Sequence, residues 1–176
     1  IDKVHAMHPD CTFSVETKID GLSMSLRYAK EADGKLHLQL AETRGDGLIG
    51  EDVTANAMVI GDVLQVIDLP YDSLELRGEV YMSHEDFEKY NEEQERLEKK
   101  TAANPRNLAA GTLRQLDTSI TKKRGLEMFI FNVQDGPAEI MESHSKGMDI
   151  LKAAGVPVVY HKICKTKDEV VSAIDE

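Results

Sequence analysis

The sequence predicts an α+β fold whose sheets are mainly antiparallel. Three observations predict it. Several short segments alternate apolar and polar residues with period two. Turn-forming residues join neighbouring segments of this kind directly. Capped, helix-patterned stretches are inserted between them rather than alternating regularly with them.

Taken in order, Thr12 to Ile19 reads as a strand, with Phe13, Val15 and Ile19 alternating with Glu16, Lys18 and Asp20. Leu22, Met24, Leu26 and Tyr28 alternate with Ser23, Ser25 and Arg27 in a second strand. The turn residues Ala32-Asp33-Gly34-Lys35 and the alternation Leu36, Leu38, Leu40 complete a β-hairpin. Gly45-Asp46-Gly47 breaks that strand, and Glu51 to Met58 reads as a short helix with acids in its first turn. Leu74 to Met82 is a further strand. Ser83 and Asp86 open a charged helix from His84 to Lys99, with Phe87, Tyr90 and Leu97 as a thin apolar stripe. Asn104-Pro105 marks a loop, and Arg106 to Leu116 a small helix. Leu126 to Val133 is a buried strand, Ala138 to Ala153 a helix closed by Gly155, and Val156 to Ile163 a strand. Thr166 and Glu169 form a capping box that opens a last helix, still running near Glu176.

At 176 residues the chain is long enough for one substantial core. No apolar run approaches the ~20 residues that cross a bilayer. Cys11 and Cys164 form no Cys-x-x-Cys pair and the six histidines lack metal-site spacing, so neither a zinc site nor a disulfide framework is expected, and a reducing cytoplasm fits. The net charge of −11 excludes a general nucleic-acid binder. Residues 96–125 nevertheless hold eight basic side chains against two acidic ones, a local +6. Such a stretch on an acidic body suits either a confined contact with phosphates or a solvated face.

Gly45-Asp46-Gly47-Leu48-Ile49-Gly50 has the G-x-G-x-x-G spacing of a dinucleotide-binding turn, with Asp68 about 20 residues on. The context fails: the preceding strand is the return arm of a hairpin, not the start of a βαβ unit.

The sharpest chemical pattern is Glu16-Thr17-Lys18-Ile19-Asp20-Gly21. On a strand, Glu16, Lys18 and Asp20 share one face, a lysine between two carboxylates. That suits an aimed nucleophile and equally a salt-bridged surface strand. Three further blocks accompany it. They are Glu42-Thr43-Arg44-Gly45-Asp46-Gly47 with Gly50-Glu51-Asp52-Val53-Thr54-Ala55-Asn56, then Leu76-Arg77-Gly78-Glu79-Val80, then Ala103-Asn104-Pro105-Arg106-Asn107 with Ala109 to Asp117. Lys18-Ile19-Asp20-Gly21 resembles the nucleophile motif of covalent nucleotidyltransferases. Together the blocks resemble, in order from Cys11 to Val133, the adenylation domain of the bacterial NAD-dependent DNA ligases.

The resemblance implies a nucleotidyltransferase adenylation fold, related to ATP-grasp ligases, present here in part as residues 1–176. It implies that a preceding segment recognising nicotinamide mononucleotide lies outside the chain. The same holds for later metal-side and lysine motifs and for the OB, zinc-finger, helix-hairpin-helix and BRCT regions, so that zinc belongs only to the missing part. Lys18 is then the nucleophile that takes AMP from NAD, with Asp20 supporting the turn. Glu16 reads the adenine amino group, Arg44 lies near the AMP ribose and phosphate, and Glu79 holds the ribose hydroxyls. Arg44 bracing Asp46 and Glu79 pairing with Arg77 are the plain alternatives. Arg106 and Arg114 meet DNA phosphates, or serve structure alone; Lys122, Lys123 and Arg124 add backbone attraction or line a solvated loop. An ordinary lysine amine is neutral in roughly one of 2,500 copies at pH 7, and flanking carboxylates favour its charged form. The resemblance supplies Mg²⁺ (or Mn²⁺) and arginines as the offset. The implied partners are NAD and nicked double-stranded DNA, the implied state a cytoplasmic monomer, and the part alone is expected to be weakly active or inactive. An ATP-using ligase or capping relative, and a non-catalytic nucleic-acid-binding module, are the competing readings.

Overall fold

A computed structural model describes residues 1–44 and 50–176. In chain order the elements are α1 (Asp2–Met7), β1 (Phe13–Glu16), β2 (Leu22–Lys30), β3 (Leu36–Thr43), α2 (Thr54–Ala57), β4 (Val66–Ile67), β5 (Ser73–Met82) and α3 (His84–Arg96). There follow α4 (Pro105–Leu113), α5 (Thr118–Lys123), β6 (Leu126–Asp135), α6 (Ala138–Met141), α7 (His144–Ala153), β7 (His161–Cys164) and α8 (Lys167–Asp175). The chain divides into two compact units, Ile1–Lys18 with Val159–Glu176, and Ile19–Val158.

In the first unit β1 and β7 pair antiparallel, Phe13 opposite Cys164 and Glu16 opposite His161. α8 starts as its sequence predicts: Thr166 accepts from the Glu169 N–H while the Glu169 carboxylate accepts from the Thr166 N–H, a complete capping box. Val159, Cys164 and Val170 are its buried apolar residues. Lys167 on α8 pairs with Asp2 on α1 at 3.0 Å, and His5 meets Phe13 edge to face.

The second unit is a five-stranded antiparallel sheet in the order β4-β3-β2-β5-β6. The predicted hairpin is β2–β3, closed by the Glu31 N–H on Lys35 O and the Gly34 N–H on Glu31 O, with Gly34 at φ +78°. Period-two alternation buries Met24, Leu26 and Tyr28 on β2 and Leu74, Leu76, Val80 and Met82 on β5. These pack with Ala57, Leu108, Leu113, Ile140, Met148 and Leu151 from the helices into one core. The opposite face of the sheet carries Ser25 and Arg27 of β2 and Glu75, Arg77, Glu79 and Tyr81 of β5.

Several expected boundaries move. β1 stops at Glu16, not Ile19, because β7 offers no residues beyond His161; a single further bond, Thr17 N–H to Tyr160 O, extends the pairing. The helix expected over Glu51–Met58 shrinks to α2, since Glu51 and Asp52 stay extended against β3. α3 ends at Arg96, where the backbone turns and Glu98 adopts φ +53°. α4 ends at Leu113 rather than Leu116, and the stretch read as a loop near Lys122 is a helix, α5, capped by Asp117. The helix over Ala138–Ala153 is two, because Ser143 is extended (ψ 133°) and starts α7. The strand over Val156–Ile163 divides into a parallel bridge, Val158 to Ile130, and β7. β4 was not expected: its two residues are too few for periodicity to register. The break at Gly45-Asp46-Gly47 and most of the G-x-G-x-x-G stretch lie outside the described residues. Among the described residues no helix is long and apolar enough to cross a membrane.

Candidate active site

Lys18 and Asp20 are exposed, in the irregular segment that follows β1. The alternation that put Glu16, Lys18 and Asp20 on one strand face therefore ends at Glu16. Ser14 donates to the Glu16 carboxylate at 2.7 Å. The glycine closing the motif lies flat on β5: a Cβ on Gly21 would sit 2.1 Å from the Val80 carbonyl oxygen. Only glycine permits that approach. Gly21 N–H donates to Glu79 Oε1 at 3.2 Å, so the turn beyond the lysine is tied to the carboxylate of the third block.

Asp20 lies 3.8 Å from Arg106, and both line a depression with Leu22, Asn104 and Asn107. Arg106 is placed by its helix: Asn104 accepts from the Asn107 N–H at 2.8 Å and Pro105 occupies the first turn. Arg44 is exposed and lines a second depression, of about 410 Å³, with Ser25, Arg27, Glu42, Glu75 and Arg77. Arg27 sits between Glu42 at 3.2 Å and Glu75 at 3.3 Å, whereas Arg77 donates to the Ser25 hydroxyl at 3.4 Å. The alternative of Arg44 bracing Asp46 lies outside the described residues.

Arg114 lines neither depression, and its Nε donates to Glu51 at 2.5 Å. Lys122 is exposed and Lys123 pairs with Glu93 at 3.1 Å. Arg124 is structural: its guanidinium lies over the Tyr90 ring, 5.0 Å from the centroid, and donates to Thr112 Oγ1 at 2.9 Å.

The structure thus joins Gly21 with Glu79 and Asp20 with Arg106, and places Arg44 beside Arg77 and Arg27. Sequence reasoning assigned nothing to Arg27 and Tyr81 and named Arg77 only as an alternative partner of Glu79, although Glu75, Arg77, Glu79 and Tyr81 recur with period two on β5. Tyr81 donates to Glu127 at 2.7 Å and stacks on Phe129. Burial first, and then that carboxylate, push its phenol well above its ordinary pKa. Asp52 is held below the ordinary carboxylate range by the Thr54 hydroxyl and then the Thr54 N–H. Among the described residues no three of His, Cys, Asp and Glu converge as a metal site.

The whole chain, residues 1–176, matches an adenylation domain. The chain belongs to the family of the NAD-dependent DNA ligase adenylation domain. It is 47% identical over 163 residues to a DNA ligase of Clostridium kluyveri, covering 92% of this chain and 24% of that protein. It is 50% identical over 149 residues to a DNA ligase of Jannaschia sp., covering 85% of the chain and 19% of the relative. With a DNA ligase of Lactobacillus helveticus it shares 53% over 137 residues, 78% of the chain and 20% of the relative. The chain thus spans about a quarter or less of the length of these relatives.

Proposed function

We propose that this chain is the adenylate-accepting core of a DNA ligase, on a nucleotidyltransferase fold, and that Lys18 becomes covalently adenylated. The neutral amine of Lys18 attacks the α-phosphorus of NAD. A P–N bond forms, the P–O bond to nicotinamide mononucleotide breaks, and the amine proton leaves to solvent. The AMP then passes to the 5′-phosphate at a DNA nick, and the 3′-hydroxyl displaces it to close the backbone. Glu16 accepts from the adenine amino group, Glu79 from the ribose hydroxyls, and Arg44 meets the ribose and phosphate. Asp20 steadies the turn, while Arg106 and Arg114 bind DNA phosphates through the forked guanidinium.

The observation that carries this reading is the seat of Gly21 on β5. Its N–H on Glu79 links the glycine three residues after the nucleophile to the carboxylate assigned to the ribose. Such a tie favours a preorganised nucleotide site over an unspecialised surface turn. The Mg²⁺ that the family resemblance implies finds no ready-made protein cage among the described residues, and no step above passes through it. A cytoplasmic location follows from the DNA substrate.

Intact-mass measurement after incubation with NAD and Mg²⁺, with ATP in parallel, tests the reading. The chain gains one AMP from NAD, slowly, and Lys18→Ala gains none. AMP gained from ATP alone, or by the Lys18→Ala chain, overturns it.

A further inference from the structure

We infer that the block Glu51–Asn56, to which the reading above gives no part, positions Arg114. The inference rests on that reading's assignment of Arg114 to a DNA phosphate.

Glu51 is fixed at its backbone. Its N–H donates to Thr43 Oγ1 at 3.2 Å, and its carbonyl accepts from the Thr43 N–H at 3.0 Å. From that anchor its carboxylate takes Arg114 at Nε, 2.5 Å away. The two terminal nitrogens of Arg114 make no hydrogen bond among the described residues. They are the pair that forks onto phosphate oxygens. Glu51 therefore occupies the side of the guanidinium that a phosphate does not need.

Asn56 does for the main chain what Glu51 does for the side chain. Arg114 caps the end of α4, where helical carbonyls lack partners. The Asn56 amide donates to Leu113 O at 2.8 Å and to Gln115 O at 2.7 Å, the residues on either side of Arg114. Its own carbonyl oxygen accepts from Thr121 Oγ1 at 2.8 Å. Asn56 is 7% exposed and Thr121 1%, so this brace is buried and satisfied. One block thus grips Arg114 by backbone and side chain. An arginine held in this way loses little rotamer freedom when it meets a phosphate.

A purely electrostatic role for Glu51 has the opposite sign, because a carboxylate beside a phosphate contact repels DNA. Binding of the chain to a fluorescent nicked duplex, followed by anisotropy between 50 and 200 mM salt, separates the two. Arg114→Ala lowers the slope of log K against log salt by about 0.9, one phosphate. Glu51→Ala lowers affinity and slope with it, Glu51→Gln keeps both because its amide oxygen still accepts from Nε, and Glu51→Ala/Arg114→Ala adds nothing to Arg114→Ala. Tighter binding by Glu51→Ala, or an unchanged slope while Arg114→Ala loses one, overturns the positioning role. No effect of Arg114→Ala, or no binding by the parent chain at 50 mM salt, instead overturns the DNA assignment on which it rests.

Discussion

Gly21 and Val80 are in contact closer than any side chain allows: a Cβ at Gly21 would lie 2.1 Å from the Val80 carbonyl oxygen. The obstacle is backbone in the middle of a sheet, so it does not yield as a flexible side chain would. Gly21→Ala must lift the turn off β5 or displace the strand. We expect a loss of about 1–3 kcal/mol in urea unfolding, the usual cost of overpacking. Because the lifted turn follows Lys18, self-adenylation falls about 100-fold, the effect of a misplacement near 1 Å. A variant that keeps both stability and adenylation shows that the turn has another seat.

Alkaline unfolding reports Tyr28 and Tyr81. Burial raises the pKa of the Tyr28 phenol, whose hydroxyl donates to Leu64 O, and burial with Glu127 raises that of Tyr81. In the unfolded chain both ionise near ~10. Above that pH the unfolded state binds fewer protons than the folded one, so stability falls as pH rises. The contribution is complete below about pH 10 and is lost as pH climbs through the higher folded values. Urea midpoints measured from pH 7 to 11 should be flat and then decline. In Tyr81→Phe the decline is shallower, and an equally steep decline would exclude Tyr81 as a source.

Asn56→Ala removes one side chain and takes the amide donor from two groups, Leu113 O and Gln115 O, while the Thr121 hydroxyl keeps its bond to Thr112 O at 3.0 Å. Leaving buried polar groups unpaired costs about 1–3 kcal/mol each, moderated by water reaching the less buried ones, so the total should be about 2–4 kcal/mol. Chemical denaturation measures it, and a change under 1 kcal/mol would mean that the α4–α5 corner is held by packing alone.

Lys122 and Arg124, two residues apart, should answer opposite assays. Arg124→Ala forfeits the contact with Tyr90 and the bond to Thr112, about 1–3 kcal/mol of stability, and leaves the salt dependence of DNA binding unchanged. Lys122→Ala leaves the melting temperature within a degree or so, the change expected of an exposed side chain. If it reduces the salt slope, Lys122 touches phosphate; if it does not, Lys122 is solvated.

The β2–β3 hairpin, β5, the start of α3 and the capping box of α8 were all legible, because each is written in local alternation or in a cap within four residues. What escaped needed partners distant in the chain. Glu51 and Asp52 look helical by composition, yet they lie extended because β3 offers them hydrogen bonds. β1 ends opposite the first residue of β7, which no property of Thr17–Asp20 reveals. In the site, the motifs pointed to Lys18, Asp20 and Glu79 without showing that Gly21 links the last to the turn. Arg124 looked like one more member of a basic run; its place over Tyr90 depends on α3 and α5 meeting, a tertiary fact. Arg77 entered only as an alternative partner for Glu79, although its strand period alone puts it on the polar face of the site.

The pairing of β1 with β7 has a consequence for synthesis. The strand bearing Glu16 leaves the ribosome before the five-stranded unit, but its partner strand among the described residues, β7, follows that entire unit. Closing so long a loop is entropically slow, and β1 gains nothing from waiting alone. During translation the hairpin and β5 have their neighbours at hand first, while the strand leading to Lys18 stays without one. The lysine is therefore mounted on finished structure only after the five-stranded unit has been made, and a nascent chain stalled before His161 carries that lysine on an unpaired strand.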